Sequence, residues 1–232
     1  MIILSKNGYT IHKTMTPRCA CYIIEKDKYC VLVDTSMRFE KDAVAKSIQA
    51  IGGRKIDAIF LTHSHTDHVA NAQYLSDLFH CKVYISEKGL ANIQQGCCTM
   101  PKGTNLFSKL IQRAEPQIPF YHFTRFQPCP LAEPLNNEVL KYYLGESSEL
   151  LETPGHSNDS ISILLDNNIA LVGDAMVNIF GNLYPPFADD EKAVITSWKA
   201  LLDTQCELLC PAHGNPLRRE KLIFSYQKVV SS

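Results

Sequence analysis

Residues 62–68 read Thr-His-Ser-His-Thr-Asp-His, so His63, His65, Asp67 and His68 set three imidazoles and a carboxylate within six positions. Imidazole nitrogen and carboxylate oxygen are the donors favoured by zinc and by iron of similar charge. The run follows an apolar, strand-like segment, Ile56-Asp57-Ala58-Ile59-Phe60-Leu61. Side chains alternate along an extended chain, so His63 and His65 leave the strand's end on the same side. Asp67 and His68 come two and three residues later, where the chain turns toward a helix expected at about 69–79. One local segment can therefore feed two adjacent cation positions. A polar loop with coincidental histidines is the alternative, but three of the chain's eight histidines fall inside these six positions.

Further donors sit just past apolar runs downstream. Glu149-Leu150-Leu151-Glu152-Thr153 leads to His156, Asn168-Ile169-Ala170-Leu171-Val172 to Asp174, and Cys206-Glu207-Leu208-Leu209-Cys210 to His213. Each donor lies next to a glycine (Gly155, Gly173 or Gly214), which lets backbone approach closely. A rigid sheet presents ligands from separate loops at one edge in this way.

The order HxHxDH, His, Asp, His resembles that of the metallo-β-lactamase-fold superfamily, over about residues 22–216. The resemblance implies an α/β fold, a four-layer αββα sandwich. It also implies that His63, His65 and His156 hold one metal, that Asp67, His68 and His213 hold a second, and that Asp174 bridges the two. Asp34, at the end of Cys30-Val31-Leu32-Val33, matches an acidic residue the family places behind the ligands. Asp67 is in addition the candidate catalytic residue. Ser157-Asn158-Asp159-Ser160 departs locally from the family, since many relatives carry a glycine just before the serine.

The implied cofactors are two divalent ions, with zinc expected and iron or manganese as alternatives. Ions roughly 3.5–4 Å apart share a water and lower its pKa toward about 7, giving a hydroxide nucleophile. The expected function is a metal-dependent hydrolase cleaving an ester-type bond, such as a thioester or lactone, of a small cytoplasmic metabolite. The ligand set looks most like the glyoxalase II-type hydrolases. Those carry an extra C-terminal helical domain for glutathione, whereas only 19 residues follow His213 here, so glutathione thioesters are not implied. Two other activities share the motif, a mononuclear-iron persulfide dioxygenase and a phosphodiesterase or nuclease. A non-catalytic binding protein of this fold usually loses ligands, and all seven are present.

At 232 residues and 45% hydrophobic, the chain can bury a large core as a single domain over 1–232. A net charge of −1 and no basic run longer than Arg218-Arg219 leave little footprint for nucleic acid. No apolar segment has the length of a membrane span or of a signal peptide, so a cytoplasmic protein is expected. The odd number of cysteines, nine, suits reduced thiols. Cys19-Ala20-Cys21 and Cys206 with Cys210 offer a metal-binding alternative, but both pairs lie in apolar runs and core packing is the expectation.

The elements that must position the donors read as a hairpin at about 19–25 and 29–34 and a helix at about 40–51 ending at Gly52-Gly53. After the metal strand and its helix come a strand at 82–85 and a helix near 86–95. Strands follow near 139–144, 149–153, 160–165 and 169–173, then a helix at about 189–203, a final strand and a helix from about 216. An insertion at about 96–138 holds six of the twelve prolines, five aromatics (Phe107, Phe120, Tyr121, Phe123, Phe126) and a short helix at 104–114. Leu106, Phe107, Leu110 and Ile111 would share one face of that helix. The segment suits a lid or substrate wall over the site, or a surface packed on the sandwich or on a second subunit of a homodimer.

Overall fold

Two sets of short apolar strands make the frame of the protein, described here by a computed structural model over residues 1–5, 7–14, 19–51, 55–114 and 124–231. Ile2–Leu4 (β1), Thr10–Lys13 (β2), Tyr22–Lys26 (β3), Tyr29–Val33 (β4), Ala58–Leu61 (β5), Lys82–Ile85 (β6) and Glu133–Pro134 (β7) form one sheet in sequence order. Ser148–Glu152 (β8), Ile161–Leu165 (β9), Ile169–Gly173 (β10), Leu208–Pro211 (β11) and Leu217–Arg218 (β12) form the other, in reverse order. The first four strands pair antiparallel, and β4 through β7 pair parallel. In the second sheet β10 and β11 are the parallel pair.

The two-residue period of these strands generates four layers. Ile23, Leu32, Ile59, Leu61, Val83 and Ile85 face outward onto helices Lys41–Ala50 (α1) and Ala72–Phe79 (α3), meeting Val44, Ile48 and Leu75. Their neighbours Ile24, Val31, Val33, Phe60 and Tyr84 face inward onto Ile163, Leu165, Ile169 and Leu171 of the second sheet. The other face of that sheet, Leu164, Ala170, Val172 and Leu209, is covered by Glu191–Asp203 (α7) and Arg219–Val230 (α8) through Val194, Trp198, Leu201 and Leu222. The four-layer αββα sandwich expected from the sequence is therefore present. Trp198 is fully buried, and its Nε1–H donates to Ala175 O at 2.7 Å, which ties α7 to the chain just beyond β10. Asp190 caps α7 by accepting from the N–H groups of Lys192 and Ala193.

Some sequence expectations differ from what is seen. Residues 139–144, read as a strand, belong to a helix, Asn137–Leu144 (α6). The Asn136 side chain accepts from Val139 N–H, and Leu140 and Leu144, one turn apart, are the buried positions. A period near four overrides the strand bias of Val139, Tyr142 and Tyr143. The helix after the histidine run is broken into Thr66–Val69 (α2) and α3. Buried Asn71 lies at the break, its Nδ2 donating to the carbonyls of Thr35, Ser36 and Met37. Strands β1, β2, β7 and β12 were not anticipated. Gly52-Gly53, Phe120, Tyr121 and Phe123 lie outside the described residues. No described helix is long and apolar enough to cross a membrane.

Gly173 shows how closely the two sheets approach. It has φ +49°, and a Cβ there would lie 2.7 Å from Thr62 Oγ1, at the end of β5. Gly173→Ala adds left-handed strain and this clash, at a cost on the order of 1–3 kcal/mol. Thermal unfolding should show a fall of roughly 2–4 °C for each kcal/mol lost. An unchanged melting temperature would mean that the sheets part here without penalty.

Candidate metal centre

Parallel pairing sends the carboxyl ends of β4, β5, β10 and β11 to one edge of the sandwich, where every donor singled out in the sequence is found. Asp34 follows β4 in the left-handed region, with φ +61°. Aspartate tolerates that conformation better than most residues, and here it turns the carboxylate beneath β5. Its Oδ1 accepts from Thr62 N–H at 2.8 Å, Thr62 Oγ1–H reaches Oδ2 at 2.9 Å, and His68 Nδ1–H donates to Oδ2 at 2.9 Å. Asp34 therefore stands behind the cluster, as expected, and leaves His68 Nε2 facing forward.

Three rings form a tripod. The centroids of His63, His65 and His156 lie 4.7, 4.8 and 4.6 Å apart pairwise, with interplanar angles of 84°, 90° and 82°. His156 Nδ1–H donates to Phe187 O at 2.8 Å, so its Nε2 carries the lone pair, and that atom lies 2.7 Å from His65 Nδ1. His63 Nε2 is buried with no hydrogen-bond partner among the described residues. Beside the tripod, His213 Nε2 lies 3.2 Å from Asp67 Oδ2, and His68 Nε2 lies 3.8 Å from the same oxygen. Asp174 reaches both groups, with Oδ2 at 3.5 Å from His156 Nε2 and at 3.3 Å from His213 Nε2. Its Oδ1 is the second buried atom of the cluster without a hydrogen-bond partner among the described residues. Orphaned buried donors and acceptors are costly unless something satisfies them. These atoms gather in overlapping groups, His63 with His65 and His156, His63 with His68 and Asp174, and Asp67 with His68 and His213, and their nitrogen and oxygen chemistry fits a divalent cation.

The protonation pattern agrees with such a use. Burial, with the rings of His68, His65 and His156 adding to it, holds His63 well below the usual imidazole range. Burial and His156 bring His65 down to about 3. Both are neutral bases near pH 7. Burial also acts downward on His68 and His213, but the acidic groups around them outweigh it and raise both well above that range. Burial acts upward on Asp67 and Asp174, yet His68 and His213 pull both below the usual carboxylate range. A divalent cation would take the place of the protons on His68 and His213.

A cavity of about 330 Å³ opens onto the cluster. Asp67, with its side chain 31% exposed, and His213, at 20%, are the donors most open to it. Met37, Met100, Pro101, Ile111, Val177 and Phe187 give the cavity apolar walls. The insertion thus contributes in part. Met100, Pro101 and Ile111 of helix Leu106–Ala114 (α5) reach the cavity, and Phe126 packs on the helix-covered face of the first sheet. Phe107 and Leu110 are exposed, so the expectation that they line the cleft is not met. Helix α5 turns a different face inward, with Ser108 buried and Ile111 half-buried. The sequence reading also put Cys19 in the core. It is fully buried, but it belongs to none of the three apolar clusters.

Comparison with known proteins gives a consistent result. Residues 16–95 match the metallo-beta-lactamase superfamily. The chain is 27% identical over 206 residues to "Probable metallo-hydrolase YybB" of Bacillus subtilis (strain 168), covering 84% of this chain and 80% of that one. It is 35% identical over 80 residues to "Probable polyketide biosynthesis zinc-dependent hydrolase PksB" of the same organism, covering 33% of this chain and 34% of that one. In three dimensions it is similar to an archaeal metallo-beta-lactamase superfamily protein, ST1585 from Sulfolobus tokodaii. The TM-score is 0.66 at 17% identity, over 96% of this chain and 86% of that one. With the donors of the histidine run lying inside the matched segment, the chain is similar to the metallo-beta-lactamase superfamily in sequence over residues 16–95 and shares the fold of ST1585 over 96% of its length.

Proposed function

We propose that this protein is a hydrolase that uses two zinc ions to cleave an ester-type bond, such as a thioester or lactone, in a small metabolite. The observation that carries the proposal is the gathering of seven nitrogen and oxygen donors, in overlapping groups, at the floor of an apolar-walled cavity. His63, His65 and His156 would hold the first ion, Asp67, His68 and His213 the second, and Asp174 would join them. Zinc suits this donor set, and the printed name of PksB describes that relative as zinc-dependent. Bound at these points, two divalent ions supply the Lewis acidity that makes water nucleophilic near neutral pH and polarises the scissile carbonyl.

The chain's own residues do the rest. Asp34 and the Phe187 carbonyl fix the tautomers of His68 and His156, so that Nε2 is the donor atom of each. Asp67, the most open carboxylate of the cluster, is placed to orient the attacking water and accept its proton through a carboxylate oxygen. Met100, Pro101, Ile111 and Phe187 exclude water from the substrate's apolar portion. The volume lies near the lower end of the roughly 300–1,000 Å³ typical of ligand pockets, which suits a small substrate. Its described lining residues include no lysine or arginine, which favours a neutral ester-type bond over a phosphodiester.

Metal analysis of the purified, zinc-replete protein should give two ions per chain, with turnover on a panel of thioesters and lactones. One ion per chain, with oxygen uptake on a persulfide substrate, would replace this reading with the mononuclear dioxygenase. Asp67→Ala and Asp174→Ala should lose the second ion and cut turnover by orders of magnitude. Asp34→Asn keeps a residue that tolerates φ > 0 but removes the anion behind His68, so its loss should be about 10–100-fold. Equal losses at Asp34 and Asp67 would mean that one of them is misplaced. Ile111→Ala should raise KM or shift acyl-chain preference while metal content stays constant. A changed metal content would place Ile111 in the support of the ligands instead.

A further inference from the structure

Cys19 lies just before β3, and its surroundings differ from those of the other buried cysteines. Cys21, Cys30 and Cys129 pack in the outer core of the first sheet, Cys210 between the sheets and Cys206 beneath α7. Cys19 Sγ instead lies 3.8 Å from each ring nitrogen of His68. Its sulfur and donor atoms of Asp67, His68 and His213 all fall within 4.8 Å of one another. The backbone holds it there. Ala20 N–H donates to Ala212 O at 2.8 Å, joining the residue after Cys19 to the residue before His213. Tyr22 OH donates to Pro211 O at 2.8 Å, a second tie between the same two segments.

We propose that Cys19 is a sulfur ligand of the second cation, alongside Asp67, His68 and His213, which makes that position a mixed S, N, O site selective for zinc over manganese. The inference rests on the two-ion reading above. Asp34 occupies His68 Nδ1, so His68 offers Nε2 to the shared point. Zinc–sulfur bonds of about 2.3 Å and zinc–nitrogen bonds of about 2.0–2.1 Å, opened to a tetrahedral angle, set sulfur and nitrogen about 3.5 Å apart. The sulfur now stands 3.8 Å from Nε2 and equally from Nδ1, so it flanks the ring and must turn toward Nε2 to reach that spacing, while His213 Nε2 to Asp67 Oδ2, at 3.2 Å, already matches a nitrogen–oxygen edge. A buried orphaned oxygen lies beside the same histidine. Asp174 Oδ1, buried and without a hydrogen-bond partner among the described residues, lies 3.6 Å from the same His68 Nε2.

As the sulfur–metal bond forms, the thiol proton passes to bulk water. The soft sulfur donor disfavours manganese, which prefers oxygen ligands. The two positions also become unequal. Beyond the shared Asp174, the first ion would meet only neutral imidazoles, whereas Asp67 and Cys19 would add two negative charges to the second. His63, His65 and His156 would therefore hold the more electrophilic ion, the one suited to polarising a substrate carbonyl.

The test is a cobalt titration of the full chain after chelation. A near-ultraviolet sulfur-to-cobalt charge-transfer band should grow with the second equivalent. It should vanish in Cys19→Ser and persist in Cys98→Ser, whose sulfur contacts Thr66 Oγ1 at 3.7 Å. Zinc at the second position should bind Cys19→Ser weaker by at least about the 10–100-fold that outer-shell losses cost. If Cys19→Ser does not fold, X-ray absorption at the zinc edge of the unaltered two-zinc protein answers in its place, with a sulfur shell expected at about 2.3 Å. Two bound ions with only nitrogen and oxygen neighbours, or a band that survives Cys19→Ser, would overturn the assignment of Cys19. A single bound ion carrying the sulfur signature would overturn the two-ion reading and leave Cys19 as a ligand. A single ion without that signature would remove both.

Discussion

A carboxylate taken out of water needs partners, and Asp34 is the group whose partners organise this edge of the protein. It is 2% exposed, and an isolated buried carboxylate costs several kcal/mol or more. Thr62 meets the need with its backbone N–H and its hydroxyl, and His68 with Nδ1–H. Each of these bonds fixes something the site depends on. The Thr62 bonds hold the end of β5 directly before His63. The bond from His68 selects its tautomer and sets the start of α2 against β4. The left-handed conformation of Asp34 is tolerated because these contacts over-determine it.

The second constraint is that two sheets must agree on one edge. Ile161 N–H donates to Thr62 O, Ser64 N–H to an oxygen of the Asp159 side chain, and Ser86 Oγ–H to Asp159 O. These bonds cross between the sheets beside the histidine tripod. Glycine at 173 permits the approach, since any side chain there would meet Thr62. The donors can sit within hydrogen-bonding distances of one another because the layers beneath them cannot slide. The cavity inherits the same rigidity on one side only, since Met100, Pro101 and Ile111 come from the insertion and the remaining wall comes from the sandwich.

Much of this was legible in the sequence, for reasons that can be named. His63, His156, Asp174 and His213 fall just past strands, and a strand's end is marked by an apolar run giving way to polar residues and glycine, so these four were readable one by one. That they meet follows from parallel pairing, which the sequence supports only through the resemblance it carries. Residues 139–144 misled because β-branched and aromatic composition outweighs periodicity over so few residues, and because the cap supplied by Asn136 is a local signal easily passed over. Phe107 and Leu110 misled for a different reason. Helical spacing shows which residues share a face but not how that face is turned, and in α5 Leu106, Phe107 and Leu110 are turned to solvent while Ile111 reaches the cavity. Cys19 was read by composition alone, and composition cannot separate a thiol in a core from a thiol beside an imidazole.

The donor cluster draws His63, His65, Asp67 and His68 from the first half of the sandwich and His156, Asp174 and His213 from the second. An ion held by both groups is a cross-link between layers far apart along the chain. A ligand that binds only the docked state stabilises it by about 2.7 kcal/mol when present at a hundred times its dissociation constant. A chain whose sheets have not yet closed offers only the local donors of 63–68 and grips an ion weakly. Under the proposed use of these donors, metal loading and reactivity would arrive together with the finished sandwich, and a half-assembled chain would be an inert one.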